Sequence, residues 1–361
     1  MTSVLIAAAL AFSFPDGAHS RTNRNFAGIP SVAVSPKGGR LWRAWYGGPT
    51  KGEDRNNYAI LATSADGGRT WKEVLCRDPD GDGPWRAFDP EVWIAPNGKL
   101  WWTWAERETA SGESGFAGHS YLAGSTRLMC AELDAEREPS APYPTPRKLA
   151  PGVMMCKPLV TRDGRWLLPV SNWGDDVGAR VYGSEDKGRT FDYLGGVHLP
   201  SANREFDEHN LVELKDGTLR IYLRVLKGGG RGAWQSDSKD GGRTWSAPHP
   251  CPFAHTNARL FVRRLASGAL LLVKNGMLDY DFGGKDYEGR TDLYAYVSDD
   301  DGATWTGGLR LHEGPCSYPD GDQAADGTVF VTFDNDRCGK QELFIRTFAE
   351  ADVRRGGAME E

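Results

Sequence analysis

Six times along the chain, two apolar runs straddle a glycine turn: GIPSVAVSPKGGRLWRAWYG from Gly28, DPEVWIAPNGKLWWTW from Asp89, KPLVTRDGRWLLPV from Lys157, EHNLVELKDGTLRIYLR from Glu208, ARLFVRRLASGALLLV from Ala258 and YPDGDQAADGTVFVTF from Tyr318. Runs of β-branched and aromatic residues joined by Asn-Gly, Asp-Gly or Ser-Gly predict β-hairpins. A further apolar run, such as YAILATS or LYAYVS, follows and closes on a second motif. That motif is SADGGRTW at Ser64, SEDKGRTF at Ser184, SKDGGRTW at Ser238 and SDDDGATW at Ser298. The pattern Ser-x-Asp-x-Gly-x-Thr-aromatic is a turn: Ser and Asp side chains bond their own backbone, Gly permits positive φ, and the aromatic drops into a core. Each unit thus reads strand, Gly turn, strand, loop, strand, Asp-box turn, strand. Six repeats of four antiparallel strands predict an all-β chain, a six-bladed β-propeller.

Because the repeat spans nearly all of the 361 residues, one large domain over 1–361 is expected. The 45 Gly, 21 Pro and 13 Trp suit a turn-rich protein whose sheets are wedged apart by aromatics, and no long 3.6-residue period competes with that reading. Net charge of −6 gives no electrostatic reason to expect nucleic acid or an anionic membrane as partner. No apolar run is long enough to cross a bilayer. The six cysteines lack Cys-x-x-Cys spacing and paired His, so neither a metal nor any other cofactor is expected, and the cysteines read as free thiols. The last unit lacks a fourth strand, and residues Ser3 to Leu10 are placed to close the ring as one. The same apolar N-terminus, ending near Ala18-His19-Ser20, also reads as a secretory segment without its basic start, which leaves a secreted or periplasmic location open. Glu108 to Ser125 is a Gly/Ser-rich loop, and the charged tail over 352–361 is expected to fray.

The candidate chemistry emerges when the hairpins are aligned on their turn glycines. Nine residues before Gly38, Gly98, Gly217, Gly268 and Gly327 stand Ile29, Asp89, Glu208, Arg259 and Tyr318, and seven before Gly164 stands Lys157. If first strands are innermost, acids, bases and a tyrosine converge at one level of the ring. Arg24, Arg86, Arg204, Asp207, His209, Asp320, Gln323, Arg224 and Arg337 are their neighbours. Such convergence suggests catalysis or ligand binding, although water-filled propeller channels are polar in any case and pairs such as Arg86 with Asp89 can serve only to bridge blades.

Four Asp boxes in a six-bladed propeller resemble the sialidases and the wider group of BNR-repeat proteins, over roughly Asn23 to Phe348. EHNLVELKDGTLRIYLR is similar to the sialidase segment that carries the Glu partner of the nucleophile and an Arg of the carboxylate-binding triad, which maps onto Glu208 and Arg224. SYPDGDQAADGTVFVTFDND is similar to the segment with the nucleophilic Tyr, here Tyr318. Arg290 stands where a further triad Arg is expected. The acid of the family lies in a loop that here reads GGPTKGEDRNNY, so Glu53 or Asp54 is the candidate. The resemblance implies an exo-acting glycoside hydrolase that cleaves a terminal, acidic sugar from an oligo- or polysaccharide. Tyr318 would attack the anomeric carbon with Glu208 taking its proton, and Arg224, Arg259, Arg290 and Lys157 would hold the anionic substituent. The chain departs from the family at Ala27-Gly28-Ile29-Pro30, where sialidases place a triad Arg before Ile-Pro. Arg24 and Arg86 are candidates to replace it, and the departure weighs against sialic acid itself. Two other readings use the same residues: a polysaccharide lyase with His209 and Tyr318 as base and acid, and a non-catalytic glycan-binding propeller.

Overall fold

A computed structural model describes residues 12–109, 126–173, 177–204, 206–225, 232–280 and 289–359. The fold class is the expected one, an all-β, six-bladed β-propeller. In the first sheet Phe26–Val34, Leu41–Gly48, Tyr58–Ser64 and Lys72–Arg77 lie side by side in chain order, and in the second Trp85–Ile94, Lys99–Glu108, Arg127–Asp134 and Arg147–Pro151 do the same. The third runs Leu159–Val160, Trp166–Ser171, Ala179–Ser184 and Asp192–Val197, and the fourth His209–Glu213, Leu219–Arg224, Ala233–Ser238 and His249–Pro250. The fifth comprises Phe261–Arg264, Leu270–Asn275, Thr291–Ser298 and Thr306–Pro315, and the sixth Ser317–Gln323, Val329–Asn335 and Glu342–Phe348. Residues Ser3 to Leu10, the proposed closing strand, and most of the Gly/Ser-rich loop lie outside the described residues.

Burial follows strand position. The first three strands of the first sheet are buried throughout, while its fourth, Lys72–Arg77, is exposed at one end. A strand covered on both faces must be apolar on both, which is why YAILATS does not alternate.

The chain packs as two compact units, residues 1–153 with 334–345, and residues 154–333 with 346–361. In the first, Trp42, Trp102 and Trp104 form the centre of a core with Ala44, Leu61 and Leu75, and Phe12 stacks on Trp102 at 5.5 Å between ring centroids. Ser31 joins the first two sheets, donating its hydroxyl to Glu91 (2.8 Å) and accepting from the Val92 amide (3.0 Å). In the second unit Tyr222, Phe253 and Trp305 pack with Leu260, Leu270 and Leu272. Asn210 there plays the part of Ser31, donating to the Leu260 carbonyl (2.8 Å) and accepting from the Val262 amide (3.2 Å).

The Asp boxes form the turns that their sequence predicts. The Ser64 hydroxyl donates to Asp66 and accepts from the Gly68 amide, while Asp66 accepts from both the amide and the hydroxyl of Thr70. Gly67 and Gly68 have φ of 74° and 90°, the left-handed region where a side chain is strained. The Trp71 ring nitrogen then donates to the Gly68 carbonyl at 3.0 Å, which fixes the aromatic at the sheet edge.

The expectation of a frayed tail is corrected. Glu350–Arg355 is a short helix, and Gly357–Ala358 adds a fifth strand, parallel to Leu309 and Arg310, to the fifth sheet. The charges misled: Val353 is fully buried, and Arg354 makes a two-pronged pair with Asp299 at 2.8 Å for each bond, so the segment has an apolar anchor and a cationic clasp.

Candidate active site

In the second unit five of the expected residues meet. Glu208 directly precedes the first strand of the fourth sheet, and Arg224 ends the second strand, its amide bonded to the Glu208 carbonyl at 2.9 Å. The hairpin ladder therefore sets the carboxylate against the guanidinium: Arg224 Nη1 donates to Glu208 Oε1 at 2.5 Å. The same nitrogen donates to the hydroxyl of Tyr318 at 3.1 Å, and that hydroxyl lies 3.5 Å from Glu208 Oε1. Arg224 Nε is held by Asn257 Oδ1 at 2.6 Å, and Phe206 lies beneath the guanidinium at 4.9 Å. Glu208 Oε2 is buried and has no hydrogen-bond partner among the described residues.

Two more arginines flank the ring of Tyr318. Arg290 stacks at 5.0 Å from its centroid and donates to the Asn257 carbonyl at 2.8 Å. Arg259 lies 5.6 Å from the same centroid, and donates to the carbonyls of Tyr318 (3.1 Å) and Met155. Three guanidiniums thus contact Tyr318, and one of them, that of Arg224, is bonded to Glu208. Glu208, Arg224, Arg259 and Tyr318 are all buried to 5% exposure or less, so their charges act in a medium that screens them weakly.

The remaining candidates of this unit are engaged with one another. Lys157 donates to Asp320 at 2.6 Å in a buried pair. Arg204 holds Asp207 at 2.7 Å, and burial still pushes the Asp207 carboxyl up. Both ring nitrogens of His209 face backbone carbonyls, those of Asp207 and Arg180, at 2.9 Å each, and burial lowers its pKa. Gln323 closes its own hairpin, donating to the Gly327 carbonyl and accepting from the Ala266 amide.

The first unit holds the other expected residues. Arg24 is committed to a two-pronged pair with Glu73 (2.7 and 2.5 Å) and to the His19 carbonyl. Asp54 serves its own loop, accepting from the Thr50 hydroxyl and the Asn56 amide. Glu53 lies between two guanidiniums, 3.8 Å from Arg86 and 3.9 Å from Arg337. Arg337 is bonded to Asp334 at 2.8 Å, and Asp334 also accepts the Ile29 amide at 2.6 Å. Asp89 is buried beside Tyr46, whose hydroxyl burial pushes up.

One feature escaped the alignment on turn glycines. Ile29, Asp89 and Tyr318, all nine residues before their glycines, have φ of 56°, 45° and 55°. Each precedes a proline, whose ring keeps the preceding residue out of the right-handed helical region. A left-handed conformation there costs on the order of 1–3 kcal/mol and breaks the ladder, and pairing shifts register between Gly28 and Ser31 and between Phe88 and Glu91. The recurrent dipeptides Ile-Pro, Asp-Pro and Tyr-Pro at one offset were the available signal.

The fold is that of a sialidase-like propeller. The profile of the BNR repeat-like domain matches residues 97–331, and the chain belongs to that family. No curated protein matches the chain. Among solved structures it is similar to a Hadza microbial sialidase, at 17% identity over 95% of this chain and 69% of that one, with a TM-score of 0.72. It is also similar to the intramolecular trans-sialidase from Ruminococcus gnavus, at 15% identity over 98% and 99% of the two chains and a TM-score of 0.65. A protein of unknown function from Dyadobacter fermentans is 20% identical over 90% of this chain and 94% of that one, with a TM-score of 0.63. At these identities the likeness is one of fold. Among the described residues no helix is long and apolar enough to cross a membrane.

Proposed function

We propose that the protein is a glycoside hydrolase that releases a terminal acidic sugar, with Tyr318 as nucleophile and Glu208 as its base. The observation that supports this is the placement of the Tyr318 hydroxyl within reach of Glu208, with Arg224 bonded to both. A phenol with an ordinary pKa near 10 is a poor nucleophile at neutral pH. Transfer of its proton to Glu208 as the oxygen attacks the anomeric carbon removes that obstacle, and Arg224 is set to stabilise the negative charge that develops on the phenol oxygen. A neutral tyrosine also approaches an anionic sugar without the repulsion that a carboxylate nucleophile would meet. The sialidase names of the similar structures point the same way.

Of the two acid candidates in this loop, Asp54 has both carboxylate oxygens engaged in shaping the loop, which leaves Glu53 as the candidate. The lyase reading needs His209 as a base, and both of its nitrogens already face carbonyls. Purified protein incubated with aryl glycosides and acidic oligosaccharides is the test. Release of a saturated reducing sugar supports hydrolysis, an unsaturated product absorbing in the ultraviolet at about 235 nm identifies elimination, and binding without product identifies a lectin.

A further inference from the structure

Asp207 stands in the left-handed region, with φ of 51°, and no proline follows it. At Ile29, Asp89 and Tyr318 the same conformation falls nine residues before the turn glycine and ahead of a proline, which supplies a local cause. In the fourth hairpin it falls ten residues before Gly217, one place earlier, and Glu208 takes the ninth. The two adjacent acids are thereby committed to different arginines, Asp207 to Arg204 and Glu208 to Arg224.

With no local cause, the surroundings must hold Asp207 in place, and they grip it at both ends. Its carboxylate accepts from Arg204 Nε at 2.7 Å, and the residue is 1% exposed. A Cβ built on Gly178 would overlap Asp207 Oδ2 and Arg204 Nη2, so the pair occupies space that only a glycine leaves open. At the other end the Asp207 carbonyl accepts the Ser171 hydroxyl at 2.8 Å and lies 2.9 Å from His209 Nδ1. Ser171 ends the second strand of the third sheet and Gly178 directly precedes the third, so one sheet fixes the residue that opens the next. A strained residue persists only where its neighbours over-determine it, and such residues gather at functional sites.

We propose that Asp207 is the positioning residue for Glu208: its left-handed backbone aims the next side chain at Arg224 and Tyr318, and Arg204, Gly178 and Ser171 keep it so. This rests on the reading of Glu208 as the base for Tyr318, and Asp207 acts through that residue without touching the substrate. The strand beyond is fixed, since the Arg224 amide bonds the Glu208 carbonyl at 2.9 Å and His209 pairs with Leu223. Relaxation of φ at 207 to an extended value therefore falls on the peptide that joins 207 to 208, and Glu208 moves with it. Its Oε1 sits 2.5 Å from Arg224 Nη1 and 3.5 Å from the Tyr318 hydroxyl, and a displacement of about 1 Å from such an alignment costs about 10²-fold in rate.

Asp207→Gly and Asp207→Ala remove the same carboxylate and deprive Arg204 equally, and they differ in that alanine resists positive φ whereas glycine does not. Asp207→Ala is expected to lower kcat for an aryl glycoside about 10²-fold with KM little changed, and Asp207→Gly to turn over about tenfold or more faster than Asp207→Ala. Crystal structures of both variants read the same effect without turnover: Glu208 is expected to stay on Arg224 in Asp207→Gly and to leave it in Asp207→Ala. Thermal melts confirm that each variant is folded, and Asp207→Ser, which resists positive φ as alanine does, replaces Asp207→Ala if that variant is not. An equal loss of kcat in the two variants, which would assign the effect to the pair with Arg204, overturns the proposal. So does a Glu208 that keeps its contact with Arg224 in Asp207→Ala. A wild type that turns over no glycoside removes the hydrolase reading alone, because the two crystal structures still decide whether Asp207 positions Glu208.

Discussion

The hydroxyl of Tyr318 lies 3.5 Å from Glu208 Oε1, and one nitrogen of Arg224 donates to both oxygens. The residues are 110 positions apart, and a hairpin places each of them. Arg224 arrives at Glu208 because the two end neighbouring strands of one ladder, whereas Tyr318 comes from the first strand of the sixth sheet. A phenol next to a carboxylate with an unpartnered oxygen has a proton acceptor beside it before any substrate binds.

Tyr318→Phe removes the attacking atom and little else, because the ring keeps its contacts with Arg259 and Arg290. Turnover of an aryl glycoside is expected to fall by about 10³-fold or more, while affinity for a substrate analogue changes only slightly. Glu208→Gln should lower kcat similarly. Steady-state kinetics with calorimetry of the same variants decides the matter, and normal turnover by Tyr318→Phe would remove that residue from the mechanism.

Arg224 carries a separate stability prediction. Replacing it with Met leaves the buried Glu208 carboxylate without its cation, and breaking a buried pair from one side costs about 3–5 kcal/mol. Arg224→Met combined with Glu208→Gln should recover part of that loss, since the stranded charge is gone. Urea denaturation of the two single variants and the double variant measures the coupling, and additive effects would show that the pair does not act as a unit.

Much of this was legible from the chain because the repeat does the geometric work. Aligning six hairpins on their turn glycines brought Glu208, Arg259 and Tyr318 to one level, and they do meet. The same alignment could not say which polar residues face one another. Lys157 and Asp320 look like ligand-binding groups in sequence and are paired in space, and Gln323 looks like a channel residue and closes a turn. Arg24 stood where a substitute cation was wanted, but Glu73, 49 residues away, holds it. Long-range pairing of this kind leaves no local trace. Arg337 was noted only as a neighbour, since nothing in FDNDRCG announces that its stem crosses Gly28. The tail was misread for a related reason: one buried valine and one arginine clasp outweigh a charged composition.

Glu53 and Asp54 are adjacent in sequence and differ in surroundings, which makes their roles separable. If Glu53 protonates the leaving oxygen, Glu53→Gln should depress kcat by about 10²–10⁴-fold for alkyl glycosides, and far less for aryl glycosides whose leaving groups need no acid. Asp54→Asn loses acceptor strength toward Thr50 and Asn56, so it should lower the melting temperature without changing the ranking of leaving groups. A series of substrates with graded leaving-group pKa, run on both variants, separates acid catalysis from loop support. An equal loss across the series for Glu53→Gln would dismiss it as the acid.

The Asp boxes give the fold a defined response to acid. Hydrogen bonds from Thr and Ser hold the carboxyls of Asp66, Asp186 and Asp240 well below the usual carboxylate range, and Asp300 is lowered to about 2. A carboxyl whose folded pKa is depressed contributes stability that is complete above the unfolded value near 4 and is lost as pH falls through the folded value. The four turns should therefore be at full strength at pH 5 and weaken together between about pH 4 and pH 2. Asn at any box keeps the acceptor oxygen but no longer titrates, so a variant with Asn at 66, 186, 240 and 300 should melt lower at pH 5 and show a shallower fall below pH 4. Melting curves of the two proteins across that range provide the check. Parallel slopes would mean that the acid sensitivity of the fold resides elsewhere.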